Sequence, residues 1–595
     1  MTNVSIKDSD TKKTFSNQHI LPSLPVLDLH ATCDRFIQWI EPLVDAEQLQ
    51  KTKQIVAEFQ KPAGEGEKLQ QALIDWSEQP EQTSWLKPFW DDMYLQYRPP
   101  APINVSYGLL FLEEPTLTQV QRAAKIVHLI LKFKIMLDKE ELEPDLERTT
   151  PLCMAQYRQL FSTTRIPKRE KDILVTTPAK HIMVLHKTHI FTLDVISESG
   201  KRRNLAEIEQ GLQKIKMMAA ELENEEGVGL LTSMPRDEWA DARELLVAHP
   251  QNQLALEAIQ TAIFAVCLDD ACSDDLLGLS KTMFHSNGRN RWFDKSLQFI
   301  VCQNGQAGMN GEHSGHDATT SLGLINFIYQ DQNSLATEDD SESMTSEPQK
   351  LLFQLNDELK QTIAKAAHDF EALVDNTQTK ILIFTEFGKE QIKQLKVSPD
   401  TFVQIALQLS QYKLFGQCYS TYESVMTRQF LHGRTEAMRS VTPKVVQLAK
   451  NMTATDCDRE TKLDSLHQAT QAHRDRIIDC KTGQGVQRHI FGLMKMYQQQ
   501  GAELGIDSEP QLFSDIGWRN LGHDTLSTSN GSSDALKLFC FGPVVDDGFG
   551  VGYIIKKDSL HFNVTSRTAM ADSLKQFVSH VNESLLEIAS LIRGA

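Results

Sequence analysis

Residues 308–320 read GMNGEHSGHDATT and set His313 four positions before Asp317 in a glycine-rich stretch. An imidazole titrates near neutrality, so a histidine on such a loop suits proton abstraction from a hydroxyl or thiol. A carboxylate or backbone carbonyl on its other nitrogen would fix the tautomer that faces a substrate. His316 competes locally, but Asp317 is its direct neighbour and it fits no spaced pattern. Lys389 and Lys393 lie four apart in FGKEQIKQLKVSPD (387–400), with Lys396 following. On a helix they share one face, and two ammonium groups there can hold a phosphate. TYESVMTRQFLHGRTEAMRS (421–440) is dense in Tyr, Thr, Ser and Arg, and GVQRHIFGL (485–493) carries Arg488. LSTSN (526–530) offers small hydroxyls that can stabilise a developing oxyanion. Taken singly, each stretch also reads as ordinary structure: a surface loop, a basic turn, a cap.

The surrounding sequence predicts what must position these groups. Apolar spacing is helical from Leu29 to Phe59, over 118–137, over 204–222 and over 349–374. Ser398-Pro399-Asp400 reads as N-cap, N1 and N2 of an apolar helix. Residues 181–196 suggest a hairpin, and 296–304 a buried strand leading to His313. The segment KLFCFGPVVDDGFGVGYIIKKDSLHFNV suggests three strands, with a hairpin turn at Asp547-Gly548. Residues 1–20 read as a disordered tail and 331–350, acidic and Ser-rich, as a solvated linker. Helices and strands interleave, which is the α/β or α+β pattern.

The 595 residues suggest more than two domains' worth of chain. A net charge of -18 disfavours nucleic-acid binding, which needs a basic field. Nine scattered cysteines, with no C-x-x-C pair, predict neither a disulfide framework nor a zinc site and suggest a reducing compartment. No signal peptide, transit peptide, membrane span or S-K-L tail is recognisable, so the expected location is cytoplasmic.

Together the stretches resemble the carnitine/choline acyltransferase family, from about Leu21 to the C-terminus. LPSLPVLDL (21–29) opens the resemblance, with Leu27 where a proline is usual. WDDMYLQYRPP (90–100), LLTSMPRDEWA (230–240), NRWFDKSLQFIV (290–301) and EHSGHD come next. SPDTFVQIALQL, TYES, HGRTEAMRS, QRHIFGL, STS and FGPVVDDGFGVGY complete it in family order.

The resemblance implies a chloramphenicol-acetyltransferase-like fold of two similar domains, each a mixed sheet flanked by helices, with an active-site tunnel between them. The expected division is 21–75 plus 356–595 against 76–355, the latter carrying the histidine. His313 matches the catalytic base and Asp317 the acidic residue after it. Lys389 and Lys393 match the pair that contacts the coenzyme A 3′-phosphate, and Asp400 belongs to the same side. Tyr94, Tyr422, Thr435 and Arg488 match residues around carnitine. Ser527 and Ser529 match the Ser-Thr-Ser motif, with Ser529 at the oxyanion.

The implied reaction is reversible transfer of a short acyl (acetyl) group between coenzyme A and the hydroxyl of L-carnitine. It proceeds by direct attack, with no acyl-enzyme, metal or permanently bound cofactor, in a monomer. Arg488 and Thr435 favour a carboxylate-bearing acceptor, whereas Ala437 and Met93 resemble choline enzymes. Phe539 stands where medium- and long-chain enzymes have glycine, which favours a short acyl chain. A choline O-acetyltransferase and a medium-chain carnitine enzyme are the alternatives. The intact set of matching residues argues against an inert homologue.

Overall fold

A computed structural model describes residues 12–223, 227–331 and 341–594. The chain forms two compact units, one of residues 1–21, 91–377 and 533–542, the other of 22–90, 378–532 and 543–595. The cut near residue 90, rather than 75, differs from the expected boundary.

In chain order the strands of the two large sheets are β1 (Tyr107–Phe111), β2 (His181–His186), β3 (His189–Asp194), β4 (Ala265–Asp269), β5 (Leu297–Cys302), β6 (Ala307–Gly311) and β7 (Gln349–Lys350). They continue as β8 (Thr377–Phe384), β9 (Thr421–Met426), β10 (Thr435–Arg439), β11 (Leu526–Asn530), β12 (Leu536–Phe541), β13 (Phe549–Ile555) and β14 (Leu560–Arg567). The first unit holds an eight-stranded sheet, β7-β3-β2-β4-β5-β6-β1-β12, and the second a six-stranded sheet, β8-β14-β13-β11-β9-β10. Both mix parallel and antiparallel pairs and are flanked by helices, as expected. Among the helices are α1 (Ala318–Asp331), α2 (Lys389–Gln394), α3 (Pro399–Phe415), α4 (Arg459–Lys481) and α5 (Gln487–Gln500), and Tyr94 lies on a further helix, Lys87–Leu95.

The β2–β3 hairpin forms where expected, its turn at Lys187 and Thr188 with φ of 50° and 68°. The Asp547-Gly548 hairpin does not form. β12 pairs with β1 in the first unit, whereas β13 pairs with β11 and β14 in the second. Side-chain alternation cannot distinguish two sheets, so a local turn signal misassigned the partner. The 29–59 helix is broken: Leu29–Ile40 ends before Pro42, and Asp45 caps a new helix, Ala46–Phe59. Helix 349–374 starts only at Asp357, because Gln349 and Lys350 pair with β3 and Asn356 caps the helix.

Of the expected linker, 332–340 lies outside the described residues, but Ser341 and Glu342 pair with Arg202 and Arg203. Of the expected disordered tail, residues 1–11 lie outside the described residues. Residues 12–20 are placed, with Thr14 buried and bonded to the Leu142 carbonyl at 2.9 Å. Cys272 and Cys302 are joined by a disulfide, contrary to expectation. Parallel β4 and β5 put Cys302 opposite Asp269, three residues before Cys272, with the cysteine Cα atoms 5.8 Å apart. Thirty residues of separation gave no sequence signal for this pairing.

α3 is buried at every position from Thr401 to Gln411, so it is a core helix rather than a surface stripe. Phe402 and Leu407 each contribute roughly 1.5–3 kcal/mol by burial. Its buried glutamines are partnered at one amide atom each: the Gln404 nitrogen donates to Thr528 and Tyr553, and the Gln408 oxygen accepts from Thr421.

Candidate active site

His313 follows β6 and precedes α1, at the end of the strand pair β5–β6. Its Nδ1 donates to the His316 carbonyl at 2.9 Å, while the nearer Asp317 oxygen is 4.0 Å away. The backbone carbonyl therefore sets the tautomer and leaves Nε2 as the basic nitrogen. The side chain is 29% exposed, enough to meet a substrate.

Asp317 is fixed by Gln156, which donates to its carboxylate at 2.9 Å. The same glutamine's oxygen accepts from Asp317 N and Thr320 Oγ1, each at 2.8 Å. Two aromatic rings flank the imidazole, Tyr94 at 5.5 Å and Tyr107 edge-on at 5.4 Å. Gly311, opposite Tyr107 in the β6–β1 ladder, leaves room for that ring, since a Cβ would sit 2.5 Å from it. Tyr107 is anchored by Ser321 Oγ at 2.6 Å. Phe539 on β12 packs edge-on to Tyr107 at 6.3 Å.

Arg165 ties the flanks of His313 together. Fully buried, it donates to Ser314 Oγ at 3.0 Å and to the Tyr94 carbonyl at 2.8 Å, with Glu312 at 3.4 Å. Its Nε meets Asp172, which also receives Arg236 and Arg98. Burial pushes Asp172 up, but Arg236 and Arg165 beside it hold it below the usual carboxylate range. Such a network is costly to break from one side. Tyr107, Gln156 and Arg165 went unrecognised in the sequence because they lie far from the histidine in the chain and join it only through the fold.

The remaining candidates lie in the second unit. Register and the two-residue period put Tyr422, Thr435, Ala437, Ser527 and Ser529 on one face of the sheet. Gly550 and Gly552 lie opposite the two serines and add no side chain there. Thr528 points to the other face, donating to the Tyr422 carbonyl and accepting from Gln404. The Ser-Thr-Ser run thus presents two hydroxyls forward and anchors itself backward.

Arg488 on α5 is buried, donates to the Thr435 carbonyl at 3.1 Å and stacks on Trp90 at 4.0 Å. Its charge is also felt by the buried Glu436 carboxyl, which burial pushes up and Arg488 pulls back. A carbonyl, an aromatic face and a nearby carboxyl thus surround the buried guanidinium.

Lys389 and Lys393 sit on α2, both exposed, as their spacing suggested. Ile392 anchors the helix, and Gly388 packs against the 558–559 backbone, where a Cβ would lie 2.3 Å from Ser559 N. The Lys389 and Glu390 amides bond the Lys556 and Lys557 carbonyls, which fixes the start of the helix against that turn. Ser398 occupies the N-cap of α3 without a side-chain bond. Asp400, in its first turn, accepts from Tyr553 at 2.7 Å and Asn530 at 2.8 Å. No cluster of side chains suited to a metal ion occurs among the described residues. None of their helices is long and apolar enough to cross a membrane.

Residues 24–583 match the family model described as choline/carnitine O-acyltransferase. Carnitine O-acetyltransferase of Columba livia is 33% identical, over 97% of this chain and 94% of its own. Choline O-acetyltransferase of Sus scrofa is 32% identical, over 96% and 92%. The mitochondrial carnitine O-palmitoyltransferase 2 of Bos taurus is 31% identical, over 98% and 93%. Among solved structures, a trichothecene 15-O-acetyltransferase from Fusarium sporotrichioides aligns at 9% identity and TM-score 0.39, over 84% of this chain and 94% of that one.

Proposed function

This chain belongs to the choline/carnitine O-acyltransferase family, and from that premise we propose that it transfers a short acyl group, acetyl foremost, between coenzyme A and the hydroxyl of L-carnitine. The observation that carries the chemistry is the His313 Nδ1 bond to the His316 carbonyl. It leaves Nε2 to take the proton from the carnitine hydroxyl, or from the thiol of coenzyme A in reverse.

The oxygen so activated attacks the thioester carbonyl directly. Ser529 hydrogen-bonds the oxyanion that forms, with Ser527 on the same face of the strand. The thiolate leaves with the proton held by His313, so no acyl-enzyme is required. Lys389 and Lys393 hold the 3′-phosphate of coenzyme A, and Asp400 belongs to that side. Holding both substrates at one base converts a bimolecular step into an oriented one. Asp317, 4.0 Å from Nδ1, supports the imidazolium electrostatically rather than by a direct bond.

Carnitine is favoured as acceptor by Arg488 and Thr435, since a guanidinium suits a carboxylate. Tyr94 and Tyr422 complete its surroundings. Choline is the second reading, favoured by Met93, by the apolar Ala437 on the site face, and by Glu436 near Arg488. Phe539, buried against Tyr107 and Phe541, fills space that a longer acyl chain would need.

Purified protein supplied with acetyl-CoA and either L-carnitine or choline would release free coenzyme A, read by a thiol reagent. Faster release with carnitine is expected. Preference for choline would overturn the acceptor, and no release with either would overturn the whole assignment.

A further inference from the structure

On the back face of the second unit's sheet, a buried polar network sets Asp400 beside groups that acyl transfer leaves unused. Glu423, next to Tyr422 on β9, is 5% exposed and points away from the site face. It accepts from His473 Nε2 and from Ser440 Oγ, each at 2.8 Å. His473, on α4 and 1% exposed, has Thr401 Oγ1 at 3.2 Å from its other nitrogen. Thr401 directly follows Asp400, whose carboxylate takes Tyr553 and Asn530. Gln404 joins Tyr553 to Thr528, and Thr528 bonds the Tyr422 carbonyl. Two sets of bonds, adjoining in the chain at Asp400-Thr401 and at Tyr422-Glu423, therefore run between the Ser-Thr-Ser strand, the TYES strand and the first turn of α3.

The charged groups that face His473 are Glu423 on β9, Asp400 on α3 and Arg476 on its own helix. Tyr553 on β13 is held neutral, since burial and the two carboxylates push its phenol well above the usual range. Two carboxylates against the imidazolium and the Arg476 guanidinium balance to zero. With a neutral imidazole one negative charge is left over, on the side assigned to a phosphate-bearing substrate. Burial alone would push the imidazole down, but Glu423 and Asp400 outweigh burial and Arg476 and raise it. Burial and Glu423 together push Asp400 up, against Tyr553 and His473.

We propose that His473 is a positioning residue for coenzyme A: its cation holds Glu423 and offsets Asp400, so affinity for coenzyme A, and not for carnitine, follows its protonation. The inference rests on coenzyme A being the acyl carrier and on Asp400 lying on its side. Loss of the cation weakens coenzyme A binding by about tenfold, the equivalent of one pKa unit.

The test compares KM for coenzyme A and for carnitine against pH in the wild type and in His473→Gln, which keeps a donor but never a charge. Between about pH 6 and about pH 8.5 the wild-type KM for coenzyme A rises by about tenfold beyond the change in the variant, whose profile keeps only the ligand's own titration. The carnitine KM stays within about twofold of wild type at each pH. Coincident coenzyme A profiles in an enzyme that still transfers acetyl groups would overturn the role of His473 and leave the proposed function standing. No transfer in the wild type would instead sink the proposed function. If His473→Gln does not fold, histidine-labelled wild-type protein titrated by NMR decides the matter. Linkage requires coenzyme A to raise the His473 titration midpoint by about one pH unit. An unmoved midpoint in the presence of bound coenzyme A overturns the proposal.

Discussion

Replacing Arg488 by Asn tests the acceptor side. The guanidinium is buried on Trp90 at 4.0 Å and bonds the Thr435 carbonyl at 3.1 Å, so its orientation is fixed before a ligand arrives. A charge-assisted hydrogen bond contributes about 1.5–3 kcal/mol. At about 1.4 kcal/mol per tenfold, KM for carnitine should rise by roughly ten- to a hundredfold. KM for acetyl-CoA should move by less than about twofold, because the two substrates are held by different groups.

Stability should respond as well. Burial, opposed by Arg488, already raises the Glu436 carboxyl above its ordinary value. An acid raised by folding is costly to ionise in the folded state. Stability is therefore greatest below the unfolded pKa and declines as pH rises toward the folded one. Without Arg488 the folded value climbs further, so the decline extends toward neutrality. Melting temperatures between about pH 5 and about pH 8 should fall more steeply in Arg488→Asn than in wild type. Equal rises in KM for both substrates, with parallel melting curves, would refute the assignment of Arg488 to the acceptor and its electrostatic link to Glu436.

His313→Ala should lower kcat by about a hundredfold to ten-thousandfold, whereas Asp317→Asn should cost less than about tenfold, because the His316 carbonyl and not Asp317 holds Nδ1; steady-state kinetics would check both. Phe539→Gly should raise kcat/KM for octanoyl-CoA relative to acetyl-CoA, at a stability cost of about 3–5 kcal/mol from the lost buried ring. Denaturant melts and competing-substrate assays would measure the two effects. Lys389→Ala with Lys393→Ala should weaken coenzyme A but not its 3′-dephospho form, a contrast read directly from the two KM values.

Some of the local chemistry legible in the chain survived into the structure because it depended on neighbours in sequence. Lys389 and Lys393 share the short helix their spacing suggested, and the 181–196 segment closed into its hairpin. The alternation of LSTSN determines that Ser527 and Ser529 face together, because the strand period is two. Pro42 and Asp45 were visible too, and they break a helix that apolar spacing alone ran through. What the chain could not declare was pairing at a distance. Only the fold sends β12 to β1 and β13 to β11, although a strong turn signal lies between them. Only the fold brings Cys272 to Cys302, Gln156 to Asp317 and Arg165 to the flanks of His313. The same holds for His473 against Glu423, fifty residues away. Periodicity reports which way a side chain points. For His313 Nδ1 the sequence left a carboxylate and a backbone carbonyl both open, and the bond made is a local one to the His316 carbonyl, with Asp317 at 4.0 Å. Which partner a side chain meets at a distance is decided by how sheets and helices pack.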